Sequence, residues 1–250
     1  MCLLSCGLEE FYFLDYIYDF RNEYNDTNAV IYLPPRDAEG YTYFNNFIIF
    51  YRLYLSDKLV NTGRLLEGSG TNNDRIAINT TLNSDYNGLF SLTDITSTSA
   101  STSNLENTFS NRRFFLLTLE DADINNVLGD GALGQRLDIA FPPNPGSRPT
   151  LTINESSYVL WRAVENRNLN PPLNFRPQPS RDFLNHPDLY NIANITDALN
   201  ADVVTNTAEG VQYTYISMYI AARGTSLDMP PRTIYSQPTF IGIFRLANRS

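Results

Sequence analysis

The chain has 250 residues, a formal net charge of −9, 42% hydrophobic and 18% charged residues. That is the composition of a folded globule with enough length for a substantial core, as one large domain or two small ones, and it excludes a disordered tail. The acidic balance argues against nucleic acid or an anionic membrane face as the main partner, and no run of about 18 apolar residues offers a membrane-spanning helix.

The N-terminus carries Leu3-Leu4-Ser5-Cys6, the shape of a bacterial lipobox: two aliphatic residues, a small one, then the cysteine that takes the lipid. On this reading Cys6 is the lipidated residue and the partner is a membrane. A secretory signal also needs a basic n-region and an apolar stretch of about 7–15 residues before the cleavage site. Only five residues precede Cys6, so the reading requires either a start upstream of Met1 or a sequence trimmed to the end of the signal. Cys2 and Cys6 are the only cysteines. Two other readings stay open: chance cysteines at an intracellular N-terminus, and a Cys2–Cys6 disulfide, which would close only a tiny loop.

Phe11 to Phe20 is dense in aromatics and broken only by acidic and aliphatic residues, which suits a docking linker or a first strand. Residues 1–25 are therefore expected to be lipobox and tether, and 26–250 one β domain. Asn28 to Leu33 reads as a short strand stopped by Pro34-Pro35. From Phe47, one face holds Phe47, Ile49, Tyr51, Leu53 and Leu55; the other holds Ile48, Phe50, Arg52 and Tyr54. With both faces mostly apolar, this is a central strand covered on both sides. Ile76, Leu82 and Tyr86 fit a helical stripe, so a helical insertion is expected near 74–88, capped by Asp74 and stopped at Gly88.

Thr96 to Ser103 is a Ser/Thr-rich loop, followed by a strand over Arg112 to Leu119 and another over Arg136 to Phe141, ended by Pro142-Pro143. Leu151 to Ile153 and Tyr158 to Val164 pair as a hairpin around Asn154-Glu155-Ser156. A proline-rich loop over 166–180 precedes a second helical insertion near 182–203. Val211 to Arg223 is a strand, turned by Gly224-Thr225-Ser226; a loop with Pro230-Pro231 leads to the last strand, Thr239 to Leu246. Frequent turn residues and few long helices give a mainly β class, an antiparallel β-sandwich.

Phe44-Asn45-Asn46-Phe47-Ile48-Ile49-Phe50-Tyr51-Arg52-Leu53-Tyr54 resembles the third strand of a fibronectin type III domain, and Tyr213 to Gly224 resembles its penultimate strand. The corner tyrosine of that family should share a face with the inward aliphatics. Here Ile216, Met218 and Ile220 share theirs with Thr214, and Tyr213 and Tyr215 lie opposite. The resemblance implies an immunoglobulin- or fibronectin III-like sandwich with inserted short helices. With its LLSC-G start the whole chain is similar to spirochaetal, especially treponemal, lipoproteins. That resemblance implies a bacterial cell envelope location, periplasmic or outer surface.

Chemistry is sparse. The single histidine, His186, sits in a turn-like Asn-His-Pro-Asp setting that suits a cap or surface role. Asp121, Asp123 and Asn125 occupy the first, third and fifth places of a calcium loop, but the sixth-place glycine is Asn126 and the twelfth-place glutamate is Ala132. A plain Asp/Asn turn is the simpler reading, so no metal and no cofactor is assigned. Glu9, Glu10, Glu120, Asp121 and Glu155 are available as paired carboxylates for a carbohydrate-active hydrolase. Tyr86, Phe90, Phe175 and Tyr190 are candidate loop platforms for a sugar. The leading expectation is non-enzymatic: an envelope lipoprotein that presents its β domain to a protein or glycan. The alternatives are the hydrolase and a passive structural module of the envelope.

Overall fold

The computed structural model describes residues 24–25, 27–36, 43–56, 114–142, 147–162, 203–205, 213–227, 229–236 and 238–246, with 14, 17 and 105. These residues form β1 (Tyr24–Asn25), β2 (Asn28–Tyr32), β3 (Phe44–Ser56), β4 (Phe115–Leu119), β5 (Arg136–Ala140) and β6 (Thr150–Ile153). They continue as β7 (Ser156–Arg162), β8 (Val203–Thr205), β9 (Tyr213–Thr225), β10 (Thr233–Tyr235) and β11 (Thr239–Leu246). One short helix, α1 (Ile124–Val127), and a 3₁₀ turn over Asp130–Ala132 lie between β4 and β5. The expected insertion near 74–88 and residues 182–202 of the one expected near 182–203 lie outside the described residues; Val203, its last residue, belongs to β8.

The protein is mainly β and antiparallel. Hydrogen bonding follows one path, β1-β2-β5-β6-β7-β4-β3-β9-β10, with β11 also on β9 and β8 also on β3. Among the described strands only β8 runs parallel to its neighbour. β4 is the hinge of the path: Phe115 and Leu116 pair with β3, whereas Leu117 to Leu119 pair with β7. At the far end β11 returns beside β2, and Phe141 stacks on Phe244 with ring centroids 5.0 Å apart. The sheet is thereby curled nearly into a barrel.

Period-two alternation decides what lies inside. Phe47, Ile49, Tyr51 and Leu53 of β3, Leu137 and Ile139 of β5, and Ile216, Met218 and Ile220 of β9 all belong to one buried apolar cluster. The opposite faces of β3 and β9 are buried as well, through Ile48, Phe50, Tyr215, Tyr219 and Ala221. β3 is the doubly covered central strand that its composition demands. On that second face Arg52 lies over the Phe114 ring, 5.4 Å from its centroid, and Phe114 meets Tyr219 edge-on at 5.5 Å. Cation–π contact lets a guanidinium sit in an apolar layer.

Ser217, directly opposite Arg52 in the β3–β9 ladder, is fully buried, and its Oγ has no hydrogen-bond partner among the described residues. An unpaired hydroxyl in such a place is a net cost to the fold. Ser217→Ala is therefore expected to leave stability unchanged or raise it by about 1 kcal/mol. A urea midpoint lowered by the substitution would show that the hydroxyl is used.

The β6–β7 hairpin closes through Asn154 and Glu155, whose φ values of 50° and 62° give the left-handed two-residue turn that matches strand twist. Near the N-terminus, Leu14 and Ile17 are buried within the main cluster, and Thr239 donates through Oγ1 to the Ile17 carbonyl at 3.3 Å. These two residues of the expected tether are packed against the domain.

Candidate functional site

Strand directions gather one set of connections at one end of the curled sheet. The stretch after β2, the loop from Glu120 to Gln135, the Asn154-Glu155 turn, Tyr43 before β3, and the β9–β10 loop all lie there. Backbone bonds tie the first two together: Leu33 donates to Gln135 O at 2.9 Å and Gly134 to Pro34 O at 2.7 Å. An exposed ion pair, Arg36 with Asp130, reinforces them.

Asp123 caps α1: its Oδ1 accepts from the Asn125 backbone N–H at 2.9 Å and from Asn125 Nδ2 at 3.1 Å. The α1 turn then docks on β3, where Phe47 N–H donates to Leu128 O at 2.8 Å. Asn46 Nδ2 donates to Asn125 Oδ1 at 2.7 Å, and Arg223 Nη2 reaches the same oxygen at 3.1 Å. Arg223 Nε also donates to Asn46 Oδ1 at 3.0 Å, across the ladder in which the two residues face each other. β3, β9 and α1 are thus locked by one charge-assisted network.

This arrangement bears directly on the calcium-loop reading. The oxygens at its third and fifth places, Asp123 Oδ1 and Asn125 Oδ1, already accept hydrogen bonds, and Asn125 Oδ1 holds a guanidinium. A bound cation there would face Arg223 at close range, a strongly unfavourable pairing. Asp121 is exposed beside it. The Asp/Asn pattern builds a capped turn.

Of the candidate carboxylates, Glu120 is ion-paired with Arg148 at 2.7 Å, and Arg148 in turn lies over Trp161. Glu155 occupies the exposed β6–β7 turn. The structure gives these two carboxylates separate structural settings. Cys6, Glu9, Glu10, His186, Tyr86, Phe90, Phe175 and Tyr190 lie outside the described residues.

The feature that projects from this end is the β9–β10 loop. Its base is clasped twice: Ser226 N–H donates to Arg232 O at 2.9 Å, and Arg232 N–H donates to Ser226 Oγ at 3.0 Å. Asn45 Nδ2 donates to Thr225 Oγ1 at 2.7 Å and steadies the end of β9. From this clasp Leu227 stands 67% exposed and Met229 98% exposed, the two large hydrophobic residues so placed among the described ones. Pro230 and Pro231 beside them are exposed too. A fixed base thus carries two solvated apolar side chains.

No protein-family model, curated protein or solved structure matches this chain. Function rests on the residues themselves.

The sequence alone marks a turn through Gly224-Thr225-Ser226 and a loop with Pro230-Pro231, and it does not reveal the Arg223 network. A signal for the loop did exist: Leu227 and Met229 flank a single acid ahead of two prolines, which cannot continue a ladder. Arg223 and Asn46 had a weaker one, as polar residues at the ends of two otherwise apolar strands.

Proposed function

We propose that this chain is a non-enzymatic envelope lipoprotein, held to a membrane through Cys6, whose β scaffold serves binding to a protein or glycan partner. The observation that carries the reading is the clasped β9–β10 loop, which offers Leu227 and Met229 to a partner. Solvated side chains of this size on a preorganised base gain by burial in an interface and lose little entropy on docking. The polar residues around the loop have structural roles, which fits contact better than chemistry. The fibronectin III-like reading of the scaffold has local support. β3, β9 and β11 lie side by side and antiparallel, as that resemblance requires of the third, penultimate and last strands. The ladder continues beyond them through β4 into β7, which such a sandwich does not require.

Lipidation has a direct test. In the native host, with the authentic upstream start, the chain should incorporate a palmitate analogue, and Cys6→Ala should reduce incorporation to background. Equal labelling of the two would remove the anchor, and with it the envelope reading.

A further inference from the structure

We infer that the β9–β10 loop is a second membrane contact: Leu227 and Met229 dip into the lipid interface beside the Cys6 anchor. The inference rests on the lipoprotein reading and names the bilayer as the partner of the loop.

Chain length supplies the first argument. Seven residues separate Cys6 from Leu14, and Leu14 is packed into the core. Even fully extended, eight Cα steps span no more than about 28 Å. A folded chain of 250 residues has a radius of gyration of about 18 Å, so it measures roughly 45 Å across. A lipid on Cys6 therefore holds the bilayer against the part of the surface near Leu14.

Position supplies the second. Leu14 Cδ1 lies 3.1 Å from where a Cβ on Gly224 would stand. Gly224 is three residues before Leu227 and five before Met229, so the loop begins within about 10–17 Å of the anchored segment. Leu14 lies at the loop's own end of the sheet, and Ile17 meets Thr239 part-way along β9. Leu14, eight residues after Cys6, and the apolar tip thus lie at the same end of the sheet.

Chemistry supplies the third. Pro230 and Pro231 carry no N–H, so two residues of the tip bring no backbone donor to be desolvated. The double clasp between Ser226 and Arg232 satisfies the backbone at the base, where the chain would leave the interface. Arg36 and Arg136 at this end are paired with Asp130 and Asp138, while Asp121 and Glu155 stand exposed there and Asp228 lies between Leu227 and Met229 in the sequence. With a net charge of −9, the attraction cannot come from anionic lipid; it is apolar and interfacial. A lipid chain combined with a second contact gives firmer and oriented attachment than the chain alone. The opposite end of the sheet, around Thr27, Pro142 and Ser147, then faces away from the bilayer.

The test supplies the anchor chemically, so that its outcome is independent of whether the host lipidates Cys6. The full chain carrying Cys2→Ser is coupled through Cys6 to a maleimide lipid in phosphatidylcholine vesicles. In that background Met229→Trp and Ser147→Trp are compared, with the native Trp161 as a constant buried reference. Met229→Trp should shift to shorter wavelength on coupling and be quenched by lipids brominated in the upper acyl chain; Ser147→Trp should do neither. Leu227→Ser with Met229→Ser should lower partition of the same chain, coupled to a lipid of short acyl chain, by about tenfold or more. Absence of quenching at position 229, or equal quenching at 229 and 147, overturns the inference. Failure of palmitate labelling in the host would instead strike the anchor reading and leave this measurement standing.

Discussion

Gly224→Ala should lower the stability of the protein by about 3 kcal/mol, which for a chain of this size is roughly 6–12 °C in unfolding midpoint. A Cβ on Gly224 would fall 2.1 Å from the Tyr43 carbonyl oxygen and 2.9 Å from its carbon. Both are backbone atoms, and that backbone cannot retreat freely. The same carbonyl accepts the Thr225 N–H at 3.0 Å, and the β3–β9 register shifts between Phe44 and Asn46 just beside it. Movement at Tyr43 would pull on Asn46 and Arg223, the two residues that join the strands to α1. Only a residue without a side chain permits this approach of two backbones. Gly131→Ala is the matched control. Nothing lies within 4 Å of its Cβ position, so stability should stay within about 0.5 kcal/mol of the parent. Equal midpoints for the two variants would mean that the crossing at Tyr43 is looser than its geometry states.

Which parts of this architecture could be read in advance follows from the range of the interactions that make them. β3 and β9 were legible because burial imposes period two on each strand alone, and the prolines after β2 and β5 mark local stops. The β6–β7 turn was legible within one residue, since Asn154 tolerates the left-handed region. β10 was not: three residues, Thr-Ile-Tyr, cannot display a period, and their place on β9 follows from the clasp at Ser226 and Arg232. Nor could alternation distinguish a sandwich from a sheet curled nearly into a barrel. Alternation reports that a face is inward, while closure depends on β4 dividing its five residues between β3 and β7. The Asn46–Asn125–Arg223 network joins positions 79 and 177 residues away from Asn46. Its asparagine and the capping Asp123 look like cation ligands in sequence because the same oxygens serve either role. What decides between the roles is Arg223, which arrives from another strand.

Ile17→Ala should cost about 3 kcal/mol, the usual loss for truncating a buried aliphatic side chain that cannot be refilled. Ile17 is 1% exposed and sits in the same apolar cluster as Phe47, Ile220 and Phe244. It is also fastened by the Thr239 hydroxyl on its carbonyl, so the backbone is held while the side chain is removed and the cavity persists. A free tether would predict the opposite, because truncating a solvated side chain changes stability by less than about 0.5 kcal/mol. Urea unfolding separates the two. A docked segment lowers the midpoint while the slope stays near that of the parent, since nearly the same surface is exposed on unfolding. The measurement also fixes the reach of any lipid on Cys6. If Ile17→Ala is silent, the folded domain begins nearer β1, the leash lengthens from about 28 Å to roughly 60 Å, and the end bearing Leu227 and Met229 need not face the bilayer. If it costs what a core residue costs, the anchor is short, and the orientation follows from the fold.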